Sequence, residues 1–585
     1  MNDIPRPEHP RPDLEREEAW WFSLNGRWEF EIDRAASGHE RGLTGGRTLA
    51  GEIAVPFCPE SRLSGVGDTD FLNCVWYRRR LEIPDRWHGR QMLLHFGACD
   101  YRTTVWLNGE RLGEHEGGYT PFTFEMTGRL KGGAKDELVV RAIDDSRAPG
   151  IPRGKQCPQY RSHGCLYTRT TGIWQTVWLE SVPRQWVSAV RLWPNVADRS
   201  FLVQLTLGGR GPLDCTVRAC AAGEQVAEAS ARAVAPGVVH LAVRVPEPVL
   251  WSCDNPFLYE FRVEASGPEG TDRLRTWGGL RDFRCAGSRF ELNGRPLFLR
   301  TVLDQGFYPD GIYTAPSLGA LEQDIRLSQS LGFNGARLHQ KVFEPAFLHL
   351  CDRMGYLVFG EFGDWGGDFN SPEFSHRMLD QWTEALERDA SHPCIIGWCP
   401  LNEVMQAGTQ PYGRWALERL SRLTHAIDPT RPVIDTSGYY HYATDIWDCH
   451  NYDQAPVRFA AAFAPLAEGR WRHAFSNNPQ QLPYDGSVPY FVSEYGGIWW
   501  KPGAAEGESW GYGDRPRGEQ EFLARFEGLT RALMDNPGVA GLCYTQLTDV
   551  EQETNGLLTC DRRMKFAPES IAAVLRRRAA IEAAP

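Results

Sequence analysis

The amino-acid sequence predicts a multidomain β plus α/β protein: two β-sandwiches followed by a C-terminal (β/α)8 TIM barrel. Three observations lead there. Residues 23–183 form short runs in which apolar and polar residues alternate at period two, broken by turn residues, as half-buried strands do. The same rhythm continues through residues 184–284 at the spacing of an immunoglobulin-like sandwich. Beyond Phe290 strands alternate with helices, the mark of βαβ units on a parallel sheet, and strand-like runs recur about eight times in about 300 residues, the count and size of a TIM barrel.

In the first unit, residues 1–183, the strands are "GRWEFEI", "CVWYRRRLEI", "QMLLHFGA", "RTTVWLNGERLGEH", "DELVVRAI" and "IWQTVWLESV", and Asn108-Gly109 is a strong hairpin signal. In the second, residues 184–284, they are "FLVQLTLGG", "VVHLAVRV" and "LYEFRVEAS". The third, residues 285–585, opens with "PLFLRTVL" as its first barrel strand. A helix over 317–331 follows, with Leu318, Leu321, Ile325 and Leu331 apolar and Gly332 as its stop. "NGARLH" is strand two, a helix over 345–354 is closed by Gly355, and "YLVFGEF" is strand three. Ser371-Pro372 starts the next helix with Pro at its first position. "CIIGWC", "PVIDTS", "DIWDCHNY", "PYFVSE" and "AGLCYTQL" complete strands four to eight.

Composition excludes several function classes. The chain carries 75 acidic against 63 basic residues, a formal net charge of -12, with no long Lys/Arg run, so nucleic acid is not an expected partner and a neutral or cationic small substrate fits better. The 15 cysteines have no CxxC spacing and read as reduced thiols of a cytoplasmic protein. The N-terminal stretch lacks an apolar signal core and no later run approaches the apolar length of a membrane span, so neither export nor a membrane partner is expected. The 21 Trp residues suit sugar faces, although Trp20, Trp21, Trp28, Trp76 and Trp106 read as sandwich core. The run "EHEGG" at 114–118 reads as a wet loop, and neither a metal nor an organic cofactor is expected.

Two carboxylates carry the chemistry. Glu403, in "WCPLNEV", lies just past strand four, and Glu494 just past strand seven, so both face one barrel mouth. Such a pair divides the labour of glycoside hydrolysis, with retention of configuration if the carboxyl groups are about 5–5.5 Å apart.

The motifs "PLNEV" and "FVSEYGG" resemble the acid/base and nucleophile segments of glycoside hydrolase family 2, the β-galactosidase/β-glucuronidase-like family. So, in order along the chain, do "SLNGRWEF", "VPFCPES", "WYRRRLEI", "VWLNGERLGEHEGGYTPF", "TTGIWQTVWLE", "LNGRPLFLR" and "GFNGARLHQK". The resemblance implies a jelly-roll sugar-binding-like domain, an immunoglobulin-like domain and a TIM barrel in the compact glucuronidase plan, and makes a homo-oligomer with β-domain contacts an expectation. It implies Glu403 as general acid/base, Glu494 as nucleophile, Asn402 as a partner of the hydroxyl beside the anomeric carbon, and Arg337 as the group that keeps the nucleophile ionised. Around the pocket it places Asp304 and Gln305 after strand one, His339, Gln340 and Lys341 after strand two, and His450, Asn451 and Tyr452 after strand six. Tyr495 beside the nucleophile, Trp499 or Trp500 after strand seven, and Gln546, Asp549 and Glu551 after strand eight complete the expected rim.

Three departures bear on the sugar. The Asn-x-Lys signature that binds a uronate in family glucuronidases is replaced by Glu553 and Asn555, and an acidic group there repels a carboxylate. The aspartate lent by the first domain of family members falls on Leu166, and the His-rich first barrel loop is "LDQGFYP". The expected function is a retaining exo-acting β-galactosidase-like glycosidase acting on an oligosaccharide or glycoside. The alternatives are a furanosidase (β-galactofuranosidase or α-L-arabinofuranosidase) and an inactive carbohydrate-binding protein, against which stand the intact Glu403, Glu494 and Asn402. A transglycosylase would use the same residues.

Overall fold

A computed structural model of the chain describes residues 4–132, 135–404, 411–478, 481, 483–503 and 507–583, and statements of absence refer to these. The first domain packs a six-stranded antiparallel sheet on a four-stranded one. The larger sheet runs, edge to edge, Gly51–Val55, Gly26–Ile32, Cys74–Leu81, Asp136–Ile143, Arg102–Leu107 and Glu110–Glu116. The smaller runs Phe122–Glu125, Gln91–Phe96, Val177–Val182 and Trp21–Ser23. Asn108 and Gly109 both have positive φ, 55° and 85°, the backbone that a two-residue hairpin turn requires and that Asn and Gly tolerate. Trp28, Trp76 and Trp106 are buried, as the sequence leads one to expect, while Trp20 and Trp21 stay partly exposed.

The second domain sets the three strands Gln185–Asn195, Ser200–Gly209 and Gly237–Arg244 beside a five-stranded sheet. The edge of that sheet is formed by Glu15–Arg16, paired with Gly270–Gly278, so the N-terminal segment crosses the expected boundary between the first two units. The reason is Arg16: its buried guanidinium donates to Asp272 at 3.1 and 3.0 Å, to Glu180 of the first domain at 2.5 Å, and to the Val187 carbonyl at 2.5 Å.

The barrel sheet is parallel and ordered strand four, three, two, one, eight, seven, six: Ile395–Cys399, Leu357–Glu361, Gly335–Leu338, Leu299–Asp304, Gly541–Thr545, Tyr490–Gly496 and Trp447–Asn451. It has seven strands rather than the expected eight. "PVIDTS" closes the gap only by bridges, Trp398 to Val433 and Asn402 to Ser437. Pro432 has no N–H to give a ladder, the Val433 N–H is taken by the Asp445 carboxylate, and Thr436 N–H by the Asp435 side chain. The helices follow their sequence signals. Leu318–Ser330 is capped by Ser317, whose side chain accepts from the Ala320 N–H, and Pro345–Met354 ends on Gly355 at φ 68°. Pro372–Asp389 begins with Ser371 as its cap and Pro372 in its first turn.

One hydrophobic core runs through the barrel and takes in Tyr119, Tyr167 and Trp174 of the first domain and Trp251 of the second. The run at 114–118 is not a wet loop: His115 Nε2 lies 3.3 Å from Glu384 and Glu116 pairs with Arg377, both on the barrel helix Pro372–Asp389. The first domain is thereby held against the barrel rim. All 15 cysteines are unpaired.

Candidate active site

Barrel strands end with their side chains alternating inward and outward, so the residue at or just past each end decides what enters the mouth. Arg337, on strand two, is wholly buried and is the hub. Its guanidinium donates to Glu361 at 3.0 and 2.8 Å, to Glu494 at 3.1 Å, to the Asn402 side-chain oxygen at 2.9 Å and to the Ser493 carbonyl at 2.9 Å. The planar fork lets one cation fix groups from strands two, three, four and seven at once.

Glu494 is 4% exposed. Its second oxygen accepts from the Tyr452 hydroxyl at 2.5 Å and lies 3.5 Å from His450 Nδ1. Burial on its own would raise its carboxyl, but His450, Arg337, His339 and the Tyr452 hydrogen bond outweigh it and hold the group at about 2. Glu494 is therefore ionised throughout the physiological range. Tyr452 is set by stacking on Tyr512, ring centroids 3.5 Å apart, and by Thr545 at 3.0 Å.

Glu403 is held differently. It sits at φ 52°, a left-handed backbone uncommon for a side chain larger than Gly, fixed by its N–H to the Ser437 carbonyl at 2.9 Å. Its side chain is 20% exposed and has His450 Nδ1 at 2.7 Å. The other ring nitrogen of His450 is 2.9 Å from Ser437 Oγ, which in turn donates to Asp448 at 2.8 Å. His450 is raised above its ordinary pKa, because Glu494 and Glu403 overcome its burial. It thus stands between the two glutamates. One carboxylate oxygen of Glu403, one ring nitrogen of His450 and one carboxylate oxygen of Glu494 lie within 4.8 Å of one another.

Several other expected residues line this pair. Asn402 keeps its Nδ2 buried and without a hydrogen-bond partner, a donor aimed at nothing in the protein. Its N–H is held by Asp364 at 3.1 Å, a carboxyl that burial pushes well up. His339 Nδ1 lies 2.8 Å from Glu361, and Gln340, at φ 53°, bonds Asp364 and accepts from the Trp365 N–H at 3.1 Å, so both support the hub. Gln305 donates to the Tyr167 hydroxyl at 2.8 Å and to Gln546 at 2.9 Å, and its own Oε1 is buried without a partner. Gln546 in turn donates to Asn555 at 2.8 Å. Trp499, with its Nε1 on Ser509 at 3.2 Å, is half-buried under Arg515.

The remaining ones turn elsewhere. Tyr495 does not orient Glu494: adjacent strand residues point to opposite faces, and its hydroxyl meets Thr530 on the outer helix at 2.9 Å. Trp500 packs on Phe522 and Phe566 behind the wall. Lys341 donates to the carbonyls of Gly306 and Tyr313 at 2.6 and 2.8 Å, bracing the first barrel loop, and burial pushes it down to about 7. Asp304 accepts from Gly306 N–H at 2.9 Å, and burial with Asp324 lifts it to about 6. Asn451 accepts from the Asp453 N–H at 3.0 Å in a turn of its own chain. Asp549 binds Lys565 at 2.5 Å, and exposed Glu551 accepts from the first-domain Thr168 N–H at 2.9 Å. These last two tie the rim together away from the pair.

Sequence reasoning missed Glu361 and Trp365, although Glu361 ends strand three as Glu494 nearly ends strand seven, which was signal enough. It also missed Tyr167 and Lys155, which the first domain brings in. Tyr167 bonds Glu553, whose other oxygen accepts from Asn555 at 2.9 Å.

Tyr452→Phe is expected to raise the Glu494 carboxyl and move the acidic limb of kcat/KM to higher pH, with kcat down about 10- to 100-fold. An unmoved limb would remove Tyr452 from this role.

Family profiles give this geometry its context. Residues 68–182 match "Glycosyl hydrolases family 2, sugar binding domain" and residues 284–497 match "Glycosyl hydrolases family 2, TIM barrel domain". The chain is 26% identical to a β-galactosidase of Thermoanaerobacter pseudethanolicus over 382 residues, 63% of this chain and 49% of that protein. It is 26% identical to the β-glucuronidase of Rattus norvegicus over 395 residues, 62% of this chain and 59% of that protein. It spans about half the length of the curated relatives it matches. The crystal structure of the Ruminococcus gnavus β-glucuronidase superposes with a TM-score of 0.78 at 20% identity, covering 97% of this chain and 99% of that one, which establishes the shared fold. From its sugar-binding domain to its barrel, the chain belongs to glycosyl hydrolase family 2.

Proposed function

We propose that the protein is a retaining, exo-acting glycoside hydrolase that removes a terminal sugar through Glu494 as nucleophile and Glu403 as acid/base. The observation that supports this most is the unequal pair: carboxylate oxygens within 4.8 Å of each other, one ionised on Arg337, the other on His450 alone and open to the mouth. That spacing leaves no room for a water between sugar and nucleophile and suits double displacement.

Glu494 attacks the anomeric carbon, forming a C–O bond as the bond to the leaving oxygen breaks. The proton shared between Glu403 and His450 passes to that oxygen. Glu403, now ionised, takes a proton from water, which attacks the same carbon and releases Glu494, so configuration is retained overall. The partnerless Nδ2 of Asn402 supports its role as the donor to the neighbouring hydroxyl as the oxocarbenium ion develops.

The relatives' names point to β-galactosides and β-glucuronides and give a furanoside reading no support. Glu403→Gln tests the assignment. Expected is a loss of kcat/KM of about 10²- to 10⁴-fold on sugars with poor leaving groups and a much smaller one on dinitrophenyl glycosides, which need no protonation. Equal losses on both would count against Glu403 as the acid.

A further inference from the structure

Lys155 reaches the site from the first domain. Its loop is fastened to the barrel loop after strand three, with Arg153 N–H on the Trp365 carbonyl at 2.9 Å and Gly154 N–H on the Gly363 carbonyl at 3.1 Å. Gly154 is at φ 58°, and a Cβ there would come within 2.4 Å of the Gln340 carbonyl oxygen, so only glycine permits this approach. The side chain is 5% exposed, with its ammonium 3.8 Å from the Trp365 ring centre. Trp365 Nε1 donates to the Asn402 carbonyl at 3.0 Å, which puts the cation beside the acid/base segment.

Among the described residues this ammonium has no hydrogen-bond acceptor and no ion-pair partner, although burying an unpaired cation is costly. Burial alone would lower it, but Cys165 and the carboxylates of Glu553, Glu494 and Glu403 raise it. Tyr167 links the lysine to Glu553: its N–H donates to the Lys155 carbonyl at 2.8 Å and its hydroxyl to the Glu553 carboxylate. Glu553 is 2% exposed and accepts one hydrogen bond per oxygen, from Tyr167 and Asn555, which leaves lone pairs free. The partnerless Gln305 Oε1 belongs to the same cluster, since Gln305 donates to the Tyr167 hydroxyl that also bonds Glu553.

Building on the glycosidase reading, we propose that Lys155 and Glu553 act as a donor and acceptor pair that binds hydroxyls of an uncharged terminal sugar, so that the first domain sets specificity. A hydroxyl satisfies both at once: it accepts from the ammonium and donates to the carboxylate. A uronate bound to Lys155 would bring a second negative group against Glu553, which already shares that cation, and is rejected.

The test uses the full chain, p-nitrophenyl β-galactoside, β-glucoside, β-mannoside and β-glucuronide, and the deoxy forms of whichever sugar is cleaved, with wild type, Lys155→Met and Glu553→Gln. Wild type should cleave a neutral sugar, and each variant should lose about 10- to 100-fold in kcat/KM. Removing one sugar hydroxyl should cost the wild type a similar factor and cost Lys155→Met almost nothing further, a non-additivity that misfolding does not produce. Preference for the glucuronide, or deoxy penalties that add in full to those of both variants, would overturn the proposal while leaving the glycosidase reading intact. No turnover of any glycoside by wild type would remove that reading and the proposal together.

Discussion

Glu494→Gln is expected to abolish turnover, lowering kcat/KM by at least about 10⁴-fold, a scale typical of a lost covalent nucleophile. The amide keeps the shape, and its single oxygen can still accept from Arg337, one of the two donors that the carboxylate serves, so the fold should survive, and circular dichroism should be unchanged. What disappears is the charge that four neighbours hold in place. Glu494→Gly opens space for a small anion, and azide should then restore activity and yield the glycosyl azide of inverted configuration, because azide takes the face that the carboxylate used. A rescued product of retained configuration would move the nucleophile elsewhere, and turnover near the wild-type level in Glu494→Gln would end the double-displacement mechanism.

Arg337→Met should damage both stability and activity. Its guanidinium compensates Glu361, whose side chain is wholly buried, and Glu494. Truncating one partner of a buried ionic cluster leaves the others unpaired and costs about 3–5 kcal/mol. The pH dependence gives a sharper test. The folded-state value of Glu494 lies near 2, below its ordinary 4.5, so its pairing contributes stability that is present above about pH 4.5 and is lost as pH falls towards 2. Without Arg337 the carboxyls rise and take up protons near neutral pH. The thermal stability gap between variant and wild type should therefore be widest at neutral pH and narrow as pH falls. A constant gap from about pH 7 to about pH 4 would show that Arg337 acts by packing, not by charge.

The two glutamates were legible because each stands at the end of a continuous apolar run, and the end of a barrel strand is a fixed place. Tyr495 could have been excluded on the same footing, since it follows Glu494 on a strand and must point outward. "PVIDTS" has strand composition, but the Val433 and Thr436 N–H groups go to the side chains of Asp445 and Asp435, so the segment meets strand four only at separate bridges such as Ile434 N–H to the Trp398 carbonyl at 2.9 Å and Ser437 N–H to the Leu401 carbonyl at 2.8 Å. The position of Lys341 after strand two predicts a pocket residue, yet two backbone carbonyls of the first barrel loop draw it away.

By itself, then, the sequence determined the alternation of strands and helices, the caps, and which strand ends carry carboxylates, because periodicity and turn chemistry act over a few residues. The tertiary structure decided that Arg337 joins four strands, that His450 stands between the glutamates, and that Lys155 and Tyr167 enter from another domain. Those contacts depend on how separately folded surfaces dock, and no local pattern in the chain encodes which far residue a buried charge will meet.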